Sequence, residues 1–104
     1  MPAIDPSGDY RIIASAVVRR LILDLQERST RAGFAEQFST SFQKIERSLA
    51  TDPIDYGDPV HEYRSLKLSV YHRVEGCIHV SYAVDKLRRL VYINVLHPFP
   101  AEAY

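Results

Sequence analysis

Phe34, Phe38, Phe42, Ile45 and Leu49 recur at spacings of four, four, three and four. At 3.6 residues per turn, that spacing draws one apolar stripe along one face of a helix. It is the strongest periodic signal in the chain, and it commits this stretch to packing against something. Upstream, Val17, Val18, Leu21, Ile22 and Leu25 form a second helical stripe, with Arg19, Arg20, Glu27 and Arg28 over much of the remaining face. Between the two, Ser29-Thr30-Arg31-Ala32-Gly33 reads as a break, with Gly33 suited to a helix C-cap. So short a break between amphipathic helices predicts an antiparallel hairpin. The second helix ends by Asp52-Pro53, because proline disfavours a helical residue before it.

After this the period changes. Residues 52–62 read as an acidic, proline-punctuated connector. Beyond them Leu66, Leu68, Val70 and Val74 alternate with polar residues, and so do Ile78, Val80, Tyr82 and Val84; a third run spans Leu90 to Leu96. Period two over three runs predicts an antiparallel meander, and Tyr10 to Ala14 adds a short strand ahead of the helices. The fold class is therefore α+β: a helical hairpin on one face of a small, mainly antiparallel sheet, in the order β-α-α-β-β-β. A loop at Glu75-Gly76-Cys77 pairs Val74 with Ile78, Val70 with Tyr82 and Leu68 with Val84, which gives one apolar face. A loop over 85–88 then pairs Val80 with Ile93 and Ile78 with Val95. The expected core is Leu21, Leu25, Phe34, Phe38, Phe42, Ile45, Val80, Tyr82, Val91, Ile93 and Val95.

The chain has 104 residues, enough for one domain: a leader over 1–9, a domain over 10–100 and a tail over 101–104. With 13 Lys+Arg against 13 Asp+Glu, overall positive charge is excluded as the means of holding nucleic acid, so any such role needs a local patch. The lone Cys77 cannot form an internal disulfide, and no Cys/His spacing resembles a zinc site. No metal or cofactor is expected. The N-terminus lacks the basic and apolar regions of a signal peptide, so a cytoplasmic protein is the expectation.

In this register the sheet face away from the helices carries Lys67, Tyr71, Arg73, His79, Ser81, Tyr92 and Asn94, with Arg73, His79 and Asn94 in one cross-strand row. A polar sheet face is most often simply the solvated one. This one concentrates cations, an imidazole and phenols, and almost no acid. Such a set suits a phosphate, and metal-free RNA cleavage needs little more: a base for the ribose 2′-hydroxyl, a cation for the phosphate, an acid for the leaving oxygen. His79 can serve as acid or base, Arg73 and Lys67 as phosphate clamps, and Tyr71 or Tyr92 as a base-stacking platform. His72 points to the apolar face in this register.

Two helices, the run Thr51 to Pro59, the strand Leu68 to Val74, Ile78-His79-Val80-Ser81-Tyr82-Ala83-Val84-Asp85 and Leu90 to Val95 together resemble the RelE/ParE toxin superfamily of bacterial type II toxin–antitoxin modules, over about residues 10–100. The resemblance implies a toxin held inactive by a cognate antitoxin. RelE-type members cleave mRNA on the ribosome without metal, as endoribonucleases; ParE-type members poison DNA gyrase. Taken with the sheet-face reading, it gives catalytic roles to Arg73, His79, Lys67 and Tyr104, and substrate contacts to Tyr71, Tyr92 and Asn94. The family's strand arginine falls at His79, its later basic residue at His97, with Pro98 following, and its terminal tyrosine at Tyr104. Histidine in place of arginine keeps a chargeable group and loses the bidentate fork. A non-catalytic binding protein of the same fold, gyrase-type or inactive, is the alternative.

Overall fold

A computed structural model describes residues 10–104; the leader expected over 1–9 lies outside the described residues. The order is β1 (Arg11–Ile13), α1 (Ala16–Arg31), α2 (Ala35–Thr51), α3 (Pro53–Tyr56), β2 (Asp58–Tyr63), β3 (Leu68–Glu75), β4 (Ile78–Asp85) and β5 (Leu90–Pro98). The strands form one mixed sheet in the order β1-β5-β4-β3-β2, with β1 parallel to β5 and all other pairs antiparallel. The helices pack on one face.

Ser15 caps α1, its Oγ accepting from the Val18 amide at 3.2 Å. The helix runs through Ser29 and Thr30, which the sequence places in a break. Both hydroxyls donate back to the Gln26 carbonyl, at 2.8 and 2.9 Å, so two turn-forming residues are accommodated within the helix. The stop comes at Gly33, at φ 84°. The Phe34 amide donates to Ser29 O and the Gly33 amide to Thr30 O, which is the paired bonding of a Schellman ending. Val18 and Leu25 of the first stripe are buried, but Val17 is 78% exposed; the stripe is narrower than the sequence implies.

Phe38, Ile45 and Leu49 of α2 are buried against Val80, Tyr82, Val84, Val91, Ile93 and Leu96 of the sheet. Leu21 and Phe42 pack at the margin of this core. Val95, expected within it, lies on the opposite face, lining a cleft with the histidines described below.

The connector holds α3, which starts on Pro53, and then β2, an exposed edge strand. Its composition hides the strand because every residue from Asp58 to Tyr63 is exposed, so no burial pattern marks it.

The strand register differs from expectation by one residue. The β3–β4 turn is Gly76-Cys77, with Glu75 paired to Ile78. Gly76, at φ 57°, takes the first turn position, where a two-residue hairpin asks for positive φ. Tyr71 thus pairs with Tyr82 and Arg73 with Val80, on the helix side, while His72 pairs with Ser81 and Val74 with His79, on the outer side. Two facts account for the slip. Tyr71 is itself a core residue, its ring stacked on Tyr82 at 5.5 Å. And Val74 and Val70, expected on the apolar face, belong to the outer face. On the other side of β4 the loop covers 86–89 and Tyr82 pairs with Ile93; a bulge at Asn94 then shifts the rest, so that Val80 meets Leu96 and His79 meets His97.

Candidate functional site

The corrected register breaks up the expected constellation. Arg73, His79 and Asn94 do not form a row. Arg73 turns to the helix side, where its guanidinium donates to the Tyr56 carbonyl at 3.0 Å and sits 4.9 Å from the centre of the Tyr56 ring. The Tyr56 hydroxyl donates to Glu75 at 2.8 Å, and Lys44 of α2 lies 3.7 Å from the same carboxylate. Burial, then the Glu75 bond and charge, push the Tyr56 hydroxyl above its ordinary range. This cluster ties α3 to the sheet.

Tyr71 is buried in the core and is not a surface platform. Tyr104 lies on the helix side, with its ring 6.0 Å from Phe34 and 6.1 Å from Phe38. Its hydroxyl donates to the Cys77 carbonyl at 3.0 Å, its own carbonyl accepts from Arg28 at 2.6 Å, and burial raises its pKa. Lys67 occupies the β2–β3 loop at φ 56°, beside Arg64 and Lys86. It precedes Val74, the partner of His79, by seven residues, about 23 Å at the usual strand rise. The sheet therefore does not bring Arg73, His79, Lys67 and Tyr104 together.

It brings together three histidines instead. His79 of β4 pairs across to His97 of β5, and His72 of β3 stands diagonally beside it. The His72 Nδ1 and His79 Nε2 atoms are 3.0 Å apart, in hydrogen-bond contact. The rings of His79 and His97 lie 6.4 Å apart. With Val60, Ser81 and Val95 the three line a cleft of about 320 Å³ on the outer face. Burial, followed by the neighbouring His72 and His97 charges, lowers the pKa of His79 below its ordinary 6.5. A group held neutral beside two others that can carry a proton is suited to proton transfer. Tyr92, half-buried, lies on the same face opposite Ala83, and the exposed Asn94 is the bulge residue.

Sequence reasoning reached His79 and missed its neighbours. His72 was assigned to the apolar face through the one-residue slip. His97 entered only as the family's basic position. The signal that finds His72 is Gly76: placing it first in a two-residue turn sets His79 opposite Val74 and puts His72 on the same face; His97 comes opposite His79 only through the bulge at Asn94, which the sequence does not announce. Among the described residues no group of three or more His, Cys, Asp or Glu side chains is placed to hold a metal ion. No helix among the described residues is long and apolar enough to cross a membrane.

No family model matches the chain, and no curated protein matches it in sequence. Solved structures do match. The archaeal RelE–RelB complex from Pyrococcus horikoshii OT3 contains a chain 20% identical, with a TM-score of 0.60, covering 86% of this chain and 94% of that one. The toxin–antitoxin complex RelBE2 from Mycobacterium tuberculosis contains one 16% identical, with a TM-score of 0.61, covering 85% and 95%. The chain has a RelE-like toxin fold, an α+β arrangement of two helices on a five-stranded mixed sheet.

Proposed function

We propose that this protein is the toxin-like component of a type II toxin–antitoxin module, acting in the cytoplasm and held inactive by a cognate antitoxin. The observation that carries the reading is the near end-to-end likeness to chains solved in toxin–antitoxin complexes. We propose further that it cleaves mRNA without metal at the outer sheet face. The open cleft with three imidazoles supports this, since it offers proton-transfer groups at a surface that a single RNA strand can reach. In this reading His79 is central, Tyr92 and Asn94 on the same face contact bases or ribose, and Lys67 with Arg64 and Lys86 steers the RNA backbone. Arg73 and Tyr104 support the fold around the site rather than touching substrate.

One observation favours a second reading. Arg73, expected as a phosphate clamp, and Tyr104, which the resemblance makes catalytic, are both engaged on the helix side. A non-catalytic member, gyrase-type or inactive, would show that arrangement too. Expression in a bacterial host, followed by mapping of mRNA ends and an assay of gyrase supercoiling, decides. Growth arrest with new mRNA ends supports the first reading. Arrest with intact mRNA and inhibited supercoiling supports the second, and normal growth on confirmed expression rejects both as toxin readings.

A further inference from the structure

We infer that His79 and His97 are the base and the acid of an RNA-cleaving pair, and that His72 is the residue that positions His79. The inference rests on the RNA reading above. Three observations lead to it. The histidines come from three adjacent strands and converge on one open cleft, whose other walls are Val60, Ser81 and Val95. The partner of His79 is another imidazole rather than a backbone carbonyl or a carboxylate. And the ring of His97, which is exposed, makes no side-chain hydrogen bond among the described residues, so one of the trio is uncommitted. A purely structural role would leave this pattern without a use, since imidazoles on an open sheet face need no such convergence.

The geometry divides the labour. Rings 6.4 Å apart are too far for His79 and His97 to bond each other. They are close enough for both to reach oxygens around one phosphodiester at hydrogen-bond lengths of roughly 2.8 Å. When the His79 Nε2–H donates to His72 Nδ1, the lone pair of His79 Nδ1 is free to accept a proton. The imidazolium then formed keeps its bond to a neutral acceptor. His72 thereby sets both the tautomer and the ring orientation of the base, the part an orienting partner plays for a catalytic histidine.

The step balances without a co-reactant. His79 Nδ1 takes the proton of the ribose 2′-hydroxyl as O2′ forms a bond to phosphorus. The P–O5′ bond breaks, its electron pair leaves on O5′, and O5′ takes the proton of the His97 imidazolium. The products are a 2′,3′-cyclic phosphate and a 5′-hydroxyl, and exchange with water returns both histidines to their starting states. Groups facing His79 are His72 on β3, His97 on β5 and, through the register partner of His72, Asp58 on β2; no Lys or Arg lines the cleft.

The test is cleavage of a defined mRNA in a translating bacterial extract containing EDTA, with wild type and the variants His79→Asn, His97→Asn, His72→Leu and His72→Asn. Thermal midpoints serve as the folding control. Wild type should give a bell-shaped pH–rate profile and cyclic-phosphate ends. His79→Asn and His97→Asn should each lose about 10²–10⁴-fold, the first removing the acidic limb and the second the alkaline limb. His72→Leu should move the acidic limb. His72→Asn, whose Oδ1 can accept where Nδ1 did, should restore it. Folded His79→Asn and His97→Asn proteins that cleave at the wild-type rate would overturn the assignment, and so would a wild type that leaves mRNA intact. A wild type that cleaves equally with both variants removes the histidine pair and keeps the RNA reading. One that arrests growth without cleaving removes both and keeps the toxin.

Discussion

Tyr82 shows how much a single buried polar atom can organise. Its side chain is fully buried, and its hydroxyl donates to the Pro53 carbonyl at 2.6 Å. A Cβ at Gly57 would strike that hydroxyl and come within 2.9 Å of the His72 carbonyl, so glycine is required there by close approach. The bond fixes α3 and the start of β2 over the core. Tyr82→Phe keeps the ring and strands the Pro53 carbonyl. It should cost about 1–3 kcal/mol in urea unfolding, and a loss under 0.5 kcal/mol would mean that water replaces the bond. His79 gives a second residue-scale expectation. Its folded pKa lies below the unfolded value, so the unfolded chain binds the proton more tightly. Stability contributed by the neutral ring is present above pH ~6.5 and is lost as pH falls from there towards the folded pKa. Unfolding midpoints should therefore drop between pH 7.5 and 5, and His79→Gln should flatten that drop; an unchanged slope would refute it.

At the scale of elements, what the sequence conveyed depends on how each element buries its side chains. α2 was legible from its phenylalanines because one face is buried and the other is solvated. Phe38 is only 3% exposed, so Phe38→Ala should cost about 3–5 kcal/mol, read by chemical denaturation; a shift below ~1 kcal/mol would place that ring outside the core. β4 was legible as a strand because Ile78, Val80, Tyr82 and Val84 alternate with His79, Ser81 and Ala83, and β5 because it is a short, largely apolar run. β2 was not, because an edge strand exposed on both faces has no period to read. Register failed at β3, where both faces carry apolar residues: Tyr71 inside, and Val70 and Val74 outside. Period two cannot choose between two such faces, and a slip of one residue exchanges every side chain. The site inherits that error. His79 was found because its own strand is unambiguous, whereas Arg73 was moved to the wrong face and His72 with it.

At the scale of the whole molecule, the sheet has two unequal edges. β1 is three residues long and lies beside β5, whereas β2 exposes all six of its residues and carries Val60 at 59% and Tyr63 at 47% exposure. Leu66, in the loop that follows, is 63% exposed. An open strand with apolar side chains is a ready partner for an added strand or a folding-on-binding segment. The proposed antitoxin is therefore expected to cover β2, and its affinity should come mainly from apolar burial. The charges nearby are solvated: the Glu62–Arg64 pair has side chains 60% and 91% exposed, and exposed pairs are worth about 1 kcal/mol or less. Raising salt from 0.1 to 1 M shortens the screening length from about 10 to 3 Å and removes most of that contribution. Affinity of the complex should then fall by no more than about tenfold, whereas Val60→Lys, which places a charge within the apolar patch while leaving the core untouched, should weaken it further. Growth of cells arrested by expressing this protein should return when the partner is co-expressed. A complex that dissociates in high salt yet tolerates Val60→Lys would mean that charge holds the partner and that it binds away from this edge.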